Sequence, residues 1–141
     1  MKIELKKIGE LENYITSEQL TSATSLEISG PMTDEDVVLL GKYTRSRSNI
    51  SAIDMEGVTN LTSIDHNAFE NCKNLEEIKL PQTIARIGDH AFDNCISLKG
   101  QKLPNSVEIV GDRAYSGCEN MTSINIPNKV SYIGVGAFYG C

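Results

Sequence analysis

Several things are scarce in this sequence, and each scarcity narrows what the chain does. No stretch approaches the roughly 20 apolar residues of a membrane-spanning helix, so direct insertion into a membrane is not expected. The N-terminus, Met1-Lys2-Ile3-Glu4-Leu5-Lys6-Lys7, has no apolar h-region, so no signal peptide is expected within this chain. Basic charge is in deficit: 13 Lys and Arg stand against 19 Asp and Glu, for a net charge of −6. Nucleic acids and anionic membrane surfaces need a basic footprint. Arg45, Arg47, Lys99 and Lys102 are too scattered to provide one. There is no G-x-S-x-G elbow, no Walker-type loop and no G-x-G-x-x-G. The sequence is therefore read as non-enzymatic and without a cofactor.

Cysteine is also scarce, but its placement is regular. Cys72, Cys95, Cys118 and Cys141 are separated by 95−72, 118−95 and 141−118, each equal to 23. A fixed period of this size is the mark of a repeat architecture. The neighbours of each cysteine repeat with it: Ala68-Phe69, Ala91-Phe92, Ala114-Tyr115 and Ala137-Phe138. Upstream come Ile87-Gly88, Val110-Gly111 and Ile133-Gly134, and before them Leu80-Pro81, Leu103-Pro104 and Ile126-Pro127. The unit reads L-x-x-I-x-L-P-x-x-I-x-x-I-G-x-x-A-F-x-x-C, with full copies at 73–95, 96–118 and 119–141. Its opening, L-x-x-I-x-L, is the strand signature of a leucine-rich repeat. Degenerate copies extend the pattern back through Ile53 to Leu26-Glu27-Ile28.

Within one unit, Ile78 and Leu80 share one face of a strand and Glu77 and Lys79 the other. Proline then ends the strand, I-x-x-I-G suits a second short extended piece ending at a glycine turn, and A-F-x-x-C suits a short helical turn. Asp89 and Asp112 stand where they could cap that turn. The expected fold is an α/β leucine-rich-repeat solenoid. It has short parallel strands at 53–55, 78–80, 101–103 and 124–126, helical turns opposite them, and a helical N-terminal cap. The cap spans 1–48 and the continuous solenoid 49–141. In the cap, Thr33-Asp34-Glu35-Asp36 is a capping box opening a helix that runs to about Tyr43. A second helix is expected from Gly9 to Tyr14 or Leu20, with Ile8, Leu11 and Ile15 on one face, and a polar loop from Thr44 to Asn49.

Other features have a sharp reading and a plain one. The cysteines lack the C-x-x-C spacing of metal sites and are read as small apolar core fillers. His66 and His90 are not at equivalent repeat positions and are read as exposed loop residues. Asp34-Glu35-Asp36 lacks the alternating ligands of a calcium loop and is read as a solvated helix start. Asn49, Asn60 and Asn120 fit glycosylation sequons, but Asn49, Asn74 and Asn120 are repeat positions, and a turn-forming, backbone-bonding role is the simpler reading. Gln101 stands where Ile78 and Ile124 stand. Its amide is expected either to bond neighbouring backbone or to distort its strand.

The repeat unit closely resembles the BspA-like class of leucine-rich repeats, over about residues 50–141, or roughly two thirds of the chain. The segment Leu26-Glu27-Ile28-Ser29-Gly30-Pro31, followed by a helix, is similar to the N-terminal part of such proteins in Bacteroides-type bacteria. The resemblance implies a secreted or cell-surface bacterial protein of an adhesin type. It supplies neither catalytic residues nor a ligand motif. The expectation is a non-catalytic module that binds a protein or glycan, host extracellular matrix among the candidates. The alternative is a structural spacer presenting another domain. Candidate contact residues are the outward strand positions Asp54, Glu77, Lys79, Lys102, Ser123 and Asn125, with Tyr132 on a second edge. No polar cap follows Cys141, which suggests either a longer array or self-association through this end.

Overall fold

The structure is a computed structural model, and it describes residues 1–15, 21–47 and 49–141. Alternating apolar and polar residues make a run of short strands along it. They are β1 (Lys2–Glu4), β2 (Ser25–Gly30), β3 (Ala52–Val58), β5 (Glu77–Lys79), β7 (Gly100–Lys102) and β9 (Ser123–Asn125). A second column, β4 (Ser63–Ile64), β6 (Arg86–Ile87), β8 (Ile109–Val110) and β10 (Tyr132–Ile133), comes from the I-x-x-I-G segments. All pairings are parallel, and in-register partners such as Ile53 and Ile78 point the same way. Among the described residues the helices are α1 (Leu11–Ile15) and α2 (Asp34–Ser46). This is the expected solenoid, with each strand of the first column beginning one residue earlier than anticipated.

The A-F-x-x-C run folds as consecutive tight turns. Cys72 N–H donates to Phe69 O, Cys95 N–H to Phe92 O and Cys118 N–H to Tyr115 O. Every second turn N–H instead reaches the next repeat, as from Phe69 to Ala91 O and from Phe92 to Ala114 O. The turn side is therefore a hydrogen-bonded ladder of its own. Inside it the aromatic rings stack: Phe69, Phe92, Tyr115 and Phe138 lie 5.4, 5.0 and 5.9 Å apart, with planes tilted by only 4°, 6° and 11°. Beside them the cysteine thiols donate to carbonyls one layer back: Cys72 to Gly41, Cys95 to Phe69, Cys118 to Phe92 and Cys141 to Tyr115. Three are buried and Cys141 is exposed, and none is in a disulfide. Burial pushes the Cys72 and Cys118 thiols up to about 12 and raises Cys95 as well. That is the behaviour of inert core fillers.

The glycines of the I-G pairs serve close packing rather than a turn. A Cβ at Gly88 would fall 2.8 Å from Ile64 O, and one at Gly111 would fall 2.4 Å from an Asp89 carboxylate oxygen. The carboxylates also act differently from the expected caps. Asp89 Oδ1 accepts the Asp112 N–H at 2.9 Å and Asp112 Oδ1 accepts the Val135 N–H at 2.9 Å, so each ties one repeat to the next.

The N-terminal segment holds more of the sheet than its sequence suggested. β1 pairs with β2, so the sheet starts at Lys2 rather than at Leu26. The helix α1 buries Leu11 and Ile15, but Ile8 is 59 % exposed and does not share their face. The extension to Leu20 lies outside the described residues. In α2 the capping box forms: Thr33 Oγ1 accepts from Asp36 N at 3.1 Å and Asp36 Oδ2 accepts from Thr33 N at 2.8 Å. Asp36 is buried and also accepts from Gly9 N, so this carboxylate joins the two halves of the cap. The helix runs three residues past Tyr43, because Thr44 is buried and its hydroxyl donates to Leu40 O at 2.8 Å. The expected loop from Thr44 is thus helix as far as Ser46, and Ser48 lies outside the described residues.

Gln101 realises both of its expected outcomes. It is buried, its Nε2 donates to Ile78 O at 3.3 Å and Lys102 O at 3.4 Å, and its Oε1 has no protein partner. The first-column sheet is divided here: β1-β2-β3-β5 form one part and β7-β9 another. The side-chain amide occupies the Ile78 carbonyl at the point where the ladder is interrupted. Gln101→Ile restores the pattern residue and removes an unpaired buried carbonyl. It is expected to stabilise the fold by about 1–3 kcal/mol. Urea unfolding should show a higher midpoint at an unchanged slope. A lower midpoint would mean that the amide's two hydrogen bonds outweigh its orphaned oxygen.

Candidate functional site

The strand face presents two outward columns built by the parallel register. One runs Lys2, Glu27, Asp54, Lys79 and, past the interruption, Lys102 and Asn125. The other runs Ser25, Ala52, Glu77, then Gly100 and Ser123. The second column is made of small side chains apart from Glu77, so the face is hollowed along it. The hollow deepens into depressions of about 310 to 390 Å³ that all share Glu77, with Ala52, Lys79 and Gly100 each lining two of the three. One of them, about 350 Å³, opens at the β5–β7 interruption between Glu56, Glu77, Lys79, Gln82, Gly100 and Lys102. Gly100 is small for a reason of packing as well: a Cβ there would stand 3.2 Å from Ser123 O.

Charges on this face are mostly used within it. Lys2 pairs with Glu27 at 3.4 Å, Asp54 with Lys79 at 3.6 Å and Glu76 with Lys99 at 2.5 Å. Asp54 also accepts the Glu56 N–H at 2.9 Å. Such exposed pairs each contribute little to stability, but they remove net charge from the surface. Glu77 and Lys102 have no ion-pair partner among the described residues. They flank the interruption on either side of Gly100.

The sequence candidates therefore divide. Glu77, Lys79 and Lys102 meet at the hollow, and Asp54 lies one strand away, held by Lys79. Asn125 is exposed but engaged with the protein's own backbone, its Oδ1 accepting the Leu103 N–H at 3.1 Å. Ser123 is exposed beside it on β9. Tyr132 sits on the second column and does not join the others. Gly100 leaves the hollow open; the sequence pattern marks it as an outward strand position, but Ser25, Ala52, Glu77 and Ser123 occupy that position elsewhere, so it looks merely variable. The only cue was its having no side chain beside the out-of-pattern Gln101.

The remaining sharp readings give way to structural ones. His66 Nδ1 accepts the Asp89 N–H at 3.2 Å, while His90 is half-buried rather than exposed, its Nδ1 2.7 Å from Asp93 Oδ2. Asn49, Asn60 and Asn120 each bond backbone of a neighbouring layer, at Ala23 O, Met32 N–H and Ile96 O. Among the described residues no group of three or more His, Cys, Asp or Glu is placed to hold a metal ion, and no helix is long and apolar enough to cross a membrane.

Known proteins of the same shape are longer. A leucine-rich-repeat protein from Bacteroides ovatus is 22 % identical, with a TM-score of 0.68 over 99 % of this chain and 34 % of its own. The Treponema pallidum leucine-rich-repeat protein is 24 % identical, with a TM-score of 0.67 over 85 % of this chain and 56 % of its own. A leucine-rich cell-surface protein from Faecalibacterium prausnitzii is 22 % identical, with a TM-score of 0.54 over 84 % of this chain and 36 % of its own. At these identities the likeness concerns the fold. No curated protein matches the chain. The family model described as BspA type leucine-rich repeat region matches residues 39–141, which includes all the full repeats and the second half of α2. The chain thus belongs to the BspA-type leucine-rich-repeat family.

Proposed function

We propose that this chain is a non-catalytic protein-binding module of an adhesin type, displayed outside the cell, which takes its ligand on the strand face at the β5–β7 interruption. The observation that carries the reading is the coincidence of three features there. The sheet parts, the floor is bare at Gly100, and Glu77 and Lys102, which have no ion-pair partner among the described residues, stand on either side. A stacked-repeat face is an extended surface whose variable residues choose the partner. Charges not already paired within the protein are free to meet complementary charges on a ligand. A protein ligand fits better than a sugar, because the outward columns contain no aromatic platform on which a sugar ring could lie. The cell-surface setting follows the family and the surface protein of like fold.

The test is a binding screen against immobilised matrix proteins and glycans, repeated with Lys79→Glu and Lys102→Glu. Reversal at Lys102 is expected to weaken binding about tenfold, with a loss of salt dependence. Binding that neither reversal alters would remove the strand face as the site. Absence of binding to any matrix protein or glycan would favour a spacer that presents another domain.

A further inference from the structure

The charges of the strand face are ordered across the β5–β7 interruption. Lys79 is held by Asp54 at 3.6 Å and Lys99 by Glu76 at 2.5 Å, so both cations are already answered within the protein. Glu56, Glu77 and Lys102 have no ion-pair partner among the described residues. All three line the depression of about 350 Å³, with the carboxylates on β3 and β5 and the ammonium group on β7. The depression is thus acidic on one side and basic on the other. Glu77 has the central place, since it also lines the two neighbouring depressions.

The repeat sets the spacing of these charges. Gly100 follows Glu77 by one repeat (100−77 is 23) and lies beside it in the hollow. Lys102 is two residues further along β7. Strands lie about 4.8 Å apart and rise about 3.3 Å per residue, which puts the Glu77 and Lys102 Cα atoms about 8 Å apart on the diagonal. An extended peptide has nearly the same measure. Its side chains at i and i+2 share a face and lie about 7 Å apart. Charges at i and i+3 fall on opposite faces and do not reach both sides of the hollow. The amino and carboxylate groups of a single amino acid are too close together to span it.

We infer that the strand face takes an extended peptide segment with a basic and an acidic side chain two residues apart, the first over Glu77 and the second over Lys102. The inference rests on the strand-face reading above and adds the charge pattern of the partner. A uniformly basic or uniformly acidic segment is rejected, because either sets one like-charged pair in the hollow.

End-blocked threonine peptides titrated into the full chain, with backbone amides followed by NMR, test the pattern. A peptide with Lys and Glu at i and i+2 is expected to shift the amides of Glu77, Gly100 and Lys102. Peptides with the two charges at i and i+3, or with two lysines or two glutamates at i and i+2, should bind about tenfold more weakly. Lys102→Glu should exchange the mixed peptide for the two-lysine one, and Glu77→Lys should exchange it for the two-glutamate one. Misfolding cannot produce such gains. A wild type that binds all four peptides alike, or none, overturns the inference. Matrix-protein binding that needs Lys102, with every peptide ignored, overturns the charge pattern and leaves the strand-face reading standing. Peptide binding that follows the pattern, with no matrix protein bound, upholds the pattern and removes the adhesin reading.

Discussion

Phe92→Ala is expected to destabilise the protein by about 3–5 kcal/mol. Phe92 is fully buried, and its ring lies between Phe69 at 5.4 Å and Tyr115 at 5.0 Å. The stacked neighbours cannot close the gap, because each is held in its own layer by ladder bonds from Phe69 N to Ala91 O and from Tyr115 N to Ala137 O. A native domain of this kind stands only about 5–15 kcal/mol above its unfolded state, so the loss is a large share of the whole. The effect should also be visible in cooperativity. Each repeat of a solenoid touches only its neighbours, and Phe92 is the contact joining the repeats that carry Phe69 and Tyr115. Chemical unfolding followed by circular dichroism should give a lower midpoint and a broadened or two-step transition. A cost below about 1 kcal/mol, well short of that for a buried aromatic, would show that the turn ladder holds the stack without its rings.

Gly41→Ala is the second large effect, and its sign is opposite to what helix propensity alone suggests. In the interior of a helix, Ala is favoured over Gly by about 1 kcal/mol. Here α2 lies flat on the first turn. A Cβ at Gly41 would fall 1.6 Å from Ala68 O and 2.7 Å from its carbonyl carbon, both backbone atoms that cannot rotate away. The helix must lift. Overpacking of this sort costs about 1–3 kcal/mol, sometimes more. The readout is local: Cys72 lies beneath the helix with its thiol donating to Gly41 O at 3.5 Å. In the native wild type, a thiol reagent should label Cys141 and leave Cys72 silent, since burial raises the Cys72 pKa to about 12. In the variant Cys72 should become reactive under native conditions. A variant as stable as wild type with Cys72 still protected would contradict the docking of α2.

The departures from pattern carried more information than the pattern. Gln101 and Tyr115 replace the Ile and Phe of their columns, and among the described residues the same two hold the buried side-chain atoms left without a partner, Gln101 Oε1 and Tyr115 Oη. One of them accompanies the interruption that opens the hollow. β1 was legible in principle, since Lys2-Ile3-Glu4-Leu5 is Glu77-Ile78-Lys79-Leu80 with its charges exchanged. It was missed because no turn or aromatic of the unit accompanies it. The cap helix was read correctly at its start, where Thr33 and Asp36 are three residues apart, but ended too early. Its end depends on what Thr44 packs against.

The sequence by itself determined the repeat, the parallel strands and the inward set of residues. Every layer imposes the same steric demand on the same position, so a 23-residue spacing of cysteine, aromatic, glycine and proline writes the stack directly into the chain. The tertiary structure alone decided where the sheet parts, which charges remain unpaired, and why Gly41 and Gly88 must be small. Each of these is set by a contact with the adjacent layer, between residues about a repeat apart in the chain. A residue's own neighbourhood in sequence does not contain the atom it will meet.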